Sequence, residues 1–321
     1  MTRTSTAITG LHHVGLVVRD IAEARRAYAR LGFVVPPATF PALPPSPGAA
    51  PQAFGAGNTH AEFRGTFLEL ATVVDAEAGI ADEDVQLHVI NAPDEVLALL
   101  TETIDATTAR LRASLEQREG LHILAFRTPD ADAAAQHLDR AGVAHGAVQR
   151  LQRPIETDDG PRNEPIGYFE LDEHRTPEGR LAVAEDAPAE ILAVQRVPEH
   201  PNTAFGLTGV HLGVPDDELT AYAHRYGAYL GVHPRQEGQT VVFDLAGSRV
   251  TLVPASAVPE ALPGASDVPG GVGFLACAVR VRDRGAAAAH LEANAVPFRS
   301  RGDALVVAPR DALGAALILE P

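Results

Sequence analysis

A charged residue inside an apolar strand is the first feature of this sequence that could support chemistry. Glu69 lies between two leucines in the segment 66–74, and a buried carboxylate is costly unless it has a partner. Arg64-Gly65, just before this segment, has the composition of a two-residue hairpin turn, which would place His60 directly across from Glu69 on one face of the sheet. Carboxylate and imidazole groups can hold a divalent metal ion or act as a general base. In the simpler alternative, His60 and Glu69 form an ordinary ion pair.

A histidine in the first strand is predicted to share this face. Alternation along a strand puts the apolar residues at positions 14, 16 and 18 on one side, which suits packing beneath a helix. His13 then lies on the opposite side, and His12 lies on the helix side. The candidate metal ligands are therefore His13, His60 and Glu69, and the candidate catalytic residues are Glu69 and His60. Alternatively, His13 is a core histidine whose hydrogen bonds are satisfied.

The elements that must position these residues recur four times along the chain. Each copy opens with an apolar run that ends in aspartate, at Asp20, Asp130, Asp216 and Asp283. This pattern indicates a strand followed by a helix N-cap, because the Asp side chain can accept bonds from free helical N–H groups. Helical and then strand-like segments follow, so the unit is β-α-β-β-β and the predicted fold class is α+β. The four modules are placed at residues 9–75, 118–195, 206–256 and 271–321.

The gap between the first two modules is predicted to hold a helix. Pro93-Asp94 has the composition of a helix start, and large apolar residues then recur at three- and four-residue spacing as far as Leu115. We therefore assign residues 76–117 to a helical linker. The segment 36–51, with its seven prolines, is predicted to be an irregular surface loop.

Composition excludes several classes of protein. The 321 residues include 26 basic and 42 acidic side chains, a net charge of −16, which makes nucleic acid and anionic membranes unfavourable partners. The chain has no lysine, which excludes a Schiff-base lysine, and its single cysteine, Cys277, excludes a disulfide framework and a Cys-based zinc site. No apolar run has the length of a membrane span. We expect a soluble, cytoplasmic monomer or homodimer whose partner is a small molecule.

Three segments of the chain resemble a known superfamily. They are Gly10-Leu-His-His-Val-Gly-Leu-Val-Val-Arg-Asp20, Gly65-Thr-Phe-Leu-Glu-Leu70 and Glu199-His-Pro-Asn202. Together with the repeated modules, they are most similar to the bacterial glyoxalase-like proteins of the vicinal oxygen chelate superfamily, which also includes extradiol dioxygenases and bleomycin-resistance proteins. The resemblance extends over nearly the whole chain. It implies that the modules pair into two half-barrel domains, residues 1–195 and 196–321, each enclosing a cup.

The superfamily's usual site is a divalent metal held by the first and last strands of paired modules, where it polarises vicinal oxygens of the substrate. On this resemblance, His13 and Glu69 match a first-strand and a last-strand ligand. In the other three modules the corresponding residues are Ile123, Gly209 and Ala276 in the first strand and Val183, Thr251 and Ile318 in the last. The third and fourth modules are therefore expected to hold no metal, which argues against an extradiol dioxygenase.

Two further residues are candidates for binding substrate. Arg127 has the parity of a cup-facing residue and could pair with a substrate carboxylate; alternatively, its side chain extends to the rim of the cup or pairs with Glu170. His174 is expected in a loop at the mouth of the cup. The leading prediction is a glyoxalase-like metalloenzyme, an isomerase, lyase or oxygenase that acts on a small oxygenated molecule with Fe, Mn, Zn, Ni or Co. The alternative is a metal-free protein that binds and sequesters a small molecule.

Overall fold

The computed structural model describes residues 7–46, 48–74, 84–265 and 271–321. In the N-terminal half, the first module and the segment that follows it contain β1 (Gly10–Val17), α1 (Ile21–Arg30), β2 (Ala38–Leu43), β3 (Gln52–Ala53), β4 (Ala56–Phe63), β5 (Thr66–Val73), β6 (Val85–Val89) and α2 (Asp94–Gln117). The second module contains β7 (Gly120–Thr128), α3 (Ala131–Arg140), β8 (Gln149–Thr157), β9 (Gly160–Glu170) and β10 (Arg180–Glu185), followed by α4 (Ala189–Ala193).

The C-terminal half repeats this order of elements. The third module contains β11 (Ala204–Val214), α5 (Leu219–Leu230), β12 (Arg235–Glu237), β13 (Thr240–Leu245) and β14 (Ser248–Pro254), followed by α6 (Val258–Ala261). The fourth contains β15 (Gly273–Val281), α7 (Arg284–Ala293), β16 (Phe298–Arg301), β17 (Ala304–Val307) and β18 (Ala316–Glu320).

The strands form two curled sheets, one for each half. Within the described ranges, the N-terminal sheet has ten strands in the order β3-β2-β4-β5-β1-β7-β10-β9-β8, with β6 beside β2, and the C-terminal sheet has eight in the order β12-β13-β14-β11-β15-β18-β17-β16. β1 runs antiparallel to β7, and β11 runs antiparallel to β15. The predicted α+β fold of four modules paired one with two and three with four is confirmed.

Aspartate caps three of the four predicted helices. Asp20, Asp130 and Asp283 each accept a hydrogen bond from a backbone N–H in the first turn of α1, α3 and α7. Asp216 does not cap α5, because a short 3₁₀ turn intervenes and its carboxylate instead accepts from the backbone N–H of Ser256. The prediction for the third module is therefore wrong in this detail, although the helix follows as expected.

One hydrophobic cluster joins the two halves. Tyr28 of α1, Leu138 of α3, Tyr226 of α5 and Leu291 of α7 are all buried in it. The module helices thus pack on the same core, and each sheet buries one face there. The division into two domains at residues 195 and 196 stays a prediction.

The first strand of every module contains a β-bulge at the same place. At this place the regular pairing skips one residue in each strand, namely His12, His122, Thr208 and Leu275, and β11 skips Phe205 as well, nearer its start. A bulge interrupts strand alternation, so the residue that parity assigns to the helix side can turn to the other face. His12 does so, since it contacts His13 and Arg153. The prediction that His12 lies on the helix side is wrong for this reason.

The segment predicted to be an irregular loop and the segment predicted to be a helical linker each contain a strand. Within the proline-rich segment 36–51, β2 is a strand whose buried residues alternate with more exposed ones. Within the predicted linker, β6 pairs in parallel with β2, and the expected helix is α2, which begins at Asp94; residues 76–83 lie outside the described ranges. No helix in the described part of the chain is long and apolar enough to cross a membrane.

Candidate small-molecule site

The predicted His13 and Glu69 lie together on one face of the N-terminal sheet. β1 and β5 are parallel neighbours, and the distance from His13 Nε2 to Glu69 Oε2 is 3.9 Å. Each residue is 9% exposed. Glu69 also accepts a 2.6 Å hydrogen bond from Asn58 Nδ2, on β4. We call the face that carries His13, Glu69 and Ile123 the N-terminal cup.

His60 lies across from Glu69, as the hairpin turn predicts. The register of β4 and β5 pairs His60 with Glu69 and Phe63 with Thr66. The His60 ring packs on Phe67 at 4.3 Å between centroids, and its Nδ1 lies 3.2 Å from Glu62 Oε1. The three predicted ligands are thus neighbours, but the polar contact of His60 is with Glu62 and not with Glu69.

Hydrogen bonds around His13 determine which ring nitrogen carries its proton. Arg153 Nη1 lies 3.2 Å from His12 Nε2, and a guanidinium can only donate, so the proton of His12 is on Nδ1. That nitrogen lies 2.8 Å from His13 Nδ1, which must therefore accept. The proton of neutral His13 is then on Nε2, the atom that faces Glu69. A metal ion requires an unprotonated ring nitrogen, so this network opposes ligation through Nε2.

The donor set of the N-terminal cup does not fit a metal ion. Among the described residues, no three His, Cys, Asp or Glu side chains converge as a metal site would require. The β7–β10 register places Ala182, and not the predicted Val183, at the position equivalent to Glu69, and Ile123 is equivalent to His13. The second module therefore supplies apolar side chains where the superfamily places ligands.

Burial and neighbouring charges set the ionisation of this pair. Burial lowers the pKa of His13 to about 4, an effect that Glu69 opposes and His60 and Arg180 reinforce. Burial would raise the pKa of Glu69, but His13, His60 and the Asn58 hydrogen bond bring it below its ordinary value. Near pH 7, a neutral His13 therefore lies beside an ionised Glu69.

Helix α2 covers the N-terminal cup. Its Leu111 and Leu115 pack against Val17, Ala71 and Ile123 on the sheet. The fit is close at Gly55, where a Cβ would lie 2.3 Å from the side chain of Ile104. The predicted linker is thus a wall of the site.

Within the described part of the chain, two chambers lie beneath α2. The small chamber has a volume of about 290 Å³ and is lined by Asn58, Glu69 and His88, among others. The large chamber has a volume of about 850 Å³ and lies between α2, the start of β10 and the loop that precedes it. Thr107, Leu111 and Arg180 line both chambers.

Arg180 belongs to a partly buried network of charges. Its Nε donates to Glu170 Oε1 at 3.1 Å, and its Nη2 contacts the same oxygen. Glu170 also accepts from Arg110 Nη1 at 2.9 Å and from the Tyr168 hydroxyl at 3.2 Å. Burial would lower the pKa of Arg180, but the neighbouring Tyr168, Glu170 and Glu69 raise it overall, so a fixed cation lies in the wall shared by the chambers.

The two predicted substrate-binding residues have different positions. His174 lies in a short turn and lines the large chamber. Arg127 lines neither chamber: its Nε lies 3.0 Å from Asp186 Oδ2, and its Nη2 donates to the Gly65 carbonyl at 2.8 Å. The Arg127 guanidinium is thus occupied by protein groups.

The sequence did not reveal several residues of the site. Arg180 was not predicted because the predicted alignment of β10 was one residue out of register and placed Val183, instead of Ala182, on the cup face. Asn58 was missed although it lies two residues before His60, and therefore on the same face of β4. His122 was assigned to the helix side, whereas it is an extra residue of a bulge and lines the large chamber.

In the C-terminal sheet, the equivalent face is covered by the chain itself. Ala276 and Ile318, at the ligand-equivalent positions, pack with Val258, Ala261 and Leu262 in one apolar cluster. His211 is buried nearby on β11, and Arg249 donates to Glu320 at 2.7 Å. Apolar side chains therefore fill the described part of this face, where the N-terminal sheet has its chambers.

Comparison with known proteins agrees with this architecture. The structure is similar to a hypothetical protein from Staphylococcus aureus (TM-score 0.57, 9% identity, covering 98% of this chain and 100% of that one). It is also similar to a mutant of 4-hydroxymandelate synthase from Streptomyces coelicolor (TM-score 0.56, 15% identity, covering 98% of this chain and 93% of that one). A fusion of a xylose isomerase-like TIM barrel with 4-hydroxyphenylpyruvate dioxygenase matches as well (TM-score 0.52, 12% identity, covering 98% of this chain and 49% of that one).

At these identities, the structural matches establish the fold alone. No curated protein matches the chain by sequence. The model of the family described as "Glyoxalase-like domain" matches residues 11–230, which is more than half of the chain. The chain therefore belongs to the glyoxalase-like domain family, within the vicinal oxygen chelate superfamily.

Proposed function

We propose that this protein binds a small organic molecule in its N-terminal cup, beneath α2, without a resident metal ion. The observation that carries the proposal is the pair of chambers that meet at Arg180. The small chamber adjoins Glu69, and among the described residues no three His, Cys, Asp or Glu side chains converge as a metal site would require. A concave cavity of this size is the usual form of a small-molecule site, and the large chamber combines apolar side chains with a larger number of polar and charged ones.

The charge environment supports the metal-free proposal. Arg180 is a fixed cation whose charge acts on both His13 and Glu69. A divalent cation in the same place would be repelled by the guanidinium, and it would also compete with the proton on His13 Nε2. The cup thus already has an internal positive charge near its carboxylate.

A metal-dependent isomerase, lyase or oxygenase is the second candidate. The observation in its favour is that His13 and Glu69, which match ligands of the superfamily, approach each other to 3.9 Å. Elemental analysis of protein purified without chelator, followed by calorimetric titration with Mn²⁺, Fe²⁺, Co²⁺, Ni²⁺ and Zn²⁺ near pH 7, separates the two candidates. We expect no stoichiometric metal; a bound ion that is lost in both His13→Ala and Glu69→Gln would overturn the metal-free proposal.

Ligand binding in the cup is tested with a neutral fluorescent probe, N-phenyl-1-naphthylamine. Thr107 lines both chambers, so Thr107→Trp should fill the space that they share and weaken probe binding about tenfold or more. Ala106→Trp adds the same side chain at a neighbouring exposed position and should leave binding unchanged. Equal effects of the two variants, or no binding to the wild type, would contradict a cup site.

A further inference from the structure

We infer that the large chamber recognises an anionic group of its ligand through Arg118 and His122, so that the ligand is a small organic anion with an apolar body. This inference rests on the proposed function, because it concerns the same cup. It adds the class of ligand and the two residues that select it.

Arg118 has a buried donor that faces no partner. The residue follows directly after α2 and lines the large chamber. Its Nη2 donates to the carbonyls of Leu121 at 2.8 Å and Phe274 at 3.3 Å, whereas its Nη1 is buried without a hydrogen-bond partner in the part of the chain that the structure describes. A buried donor on a charged group is costly to leave unpaired, so an acceptor supplied by a ligand would relieve this cost.

Each carboxylate that lines the chamber already has at least one partner within the protein. Glu170 binds Arg110 and Arg180, and Glu173 lies 3.3 Å from Arg110. Glu178 accepts from the Tyr226 hydroxyl at 3.1 Å through Oε1, whereas its Oε2, 3.7 Å from Arg225 Nη1, has no hydrogen-bond partner among the described residues. Among the described residues lining the chamber, Arg118 is therefore the arginine without a carboxylate partner.

His122 provides a second donor on the same wall. It is the extra residue of the β7 bulge, and this position lines the large chamber. Burial, followed by the charges of Arg118 and Arg180, lowers its pKa to about 4. A neutral imidazole carries one N–H, which can donate to an oxygen of the anion that Arg118 binds.

The rest of the lining indicates the body of the ligand. Leu111, Leu171, Pro177 and Val272 contribute apolar surface to the same chamber. A volume of about 850 Å³ lies within the range of sites for drug-sized molecules. The protein as a whole carries a net charge of −16, so an anionic ligand needs a local cation of this kind.

Two probes with one ring system test the inference. 8-Anilinonaphthalene-1-sulfonate carries a sulfonate that N-phenyl-1-naphthylamine lacks, and only the binding that Thr107→Trp abolishes is counted. Arg118→Gln should weaken binding of the sulfonate about tenfold and change that of the neutral probe less than twofold. Arg112→Gln, at an exposed position of the same helix, should change neither. Benzoate and phenyl phosphate, used as competitors, distinguish a carboxylate from a phosphate ligand.

A second variant keeps the test decisive if Arg118→Gln does not fold. Ser114 lines the chamber one helical turn before Arg118, so Ser114→Asp should supply an internal partner and weaken binding of the sulfonate alone. Equal effects on the two probes, or no effect on either, would overturn anion recognition while leaving the cup site intact. Failure of the wild type to bind either probe would instead overturn the proposed function itself.

Discussion

The carboxylate of Glu69 lies over the backbone of Gly15. A Cβ at residue 15 would lie 2.8 Å from Glu69 Oε2 and 2.9 Å from Ile123 Cβ, closer than real Cβ contacts. Because residue 15 is a glycine, the Glu69 carboxylate has room on the cup face of the sheet. This relationship joins β1, β5 and β7 at the floor of the cup.

Gly15→Ala should destabilise the protein by about 1–3 kcal/mol, because the added methyl group must displace Glu69 or Ile123 in a packed interior. Chemical denaturation measures the change in the free energy of unfolding. Gly206→Ala is the matched control, since a Cβ there meets nothing within 4 Å. Equal stabilities of Gly15→Ala and the wild type would show that the floor of the cup adapts freely.

The hydrogen-bond chain from Arg153 through His12 predicts that His13 is protonated on Nε2 at neutral pH. Ring ¹⁵N chemical shifts identify this tautomer directly. In Arg153→Met the constraint on His12 is removed, so a second tautomer of His13 should become populated. Arg150→Met, at an exposed position on the same strand, should leave the His13 signals unchanged, and a wild-type proton on Nδ1 would contradict the assignment.

Leu111 anchors α2 on the cup, so Leu111→Ala should destabilise the protein by about 2–4 kcal/mol and speed amide hydrogen exchange in α2. Leu99 lies on the same helix but is 64% exposed. Leu99→Ala should therefore change the unfolding free energy by less than about 0.5 kcal/mol. Unchanged exchange rates in Leu111→Ala would mean that α2 is held by other contacts.

Removing Arg180 should be more harmful than removing Arg110, although both bind Glu170. Arg180 is the more buried of the two, with 24% of its side chain exposed against 37% for Arg110. Arg180→Met leaves a largely buried carboxylate without its main partner and should cost about 3 kcal/mol, whereas Arg110→Met should cost about 1 kcal/mol or less. Thermal and chemical unfolding of both variants would check the order, and the reverse order would refute it.

Buried histidines should make the protein sensitive to acid. Burial, with Arg249 and Arg301 adding to it, lowers the pKa of His211 to about 4 from an ordinary value of 6.5. The stabilisation from neutral His211 is therefore complete above pH 6.5 and is lost as the pH falls towards 4, which lowers the free energy of unfolding by up to about 3 kcal/mol.

His211→Gln removes this titration, so its unfolding free energy should fall less than that of the wild type between pH 6.5 and pH 4. The exposed His233→Gln should follow the wild-type curve. Parallel pH curves for the wild type and His211→Gln would contradict the prediction.

Local patterns in the sequence determined much of this protein: the four β-α-β-β-β modules, three of the four aspartate caps and the pairing of His60 with Glu69 across a two-residue turn. These features depend on neighbours a few residues apart, where helix capping and turn geometry act directly. The similarity to the superfamily added the pairing of modules, which the sheet order confirms.

Only the tertiary structure decided what surrounds Glu69. The bulges that turn His12 and His122 towards the cup, the register that places Arg180 beside it, and the packing of α2 over it all involve segments distant in sequence. Strand alternation cannot reveal a bulge, because the extra residue exists only relative to the partner strand. The position of a guanidinium near a carboxylate likewise depends on how strands from different modules align, which is set by packing across the whole sheet.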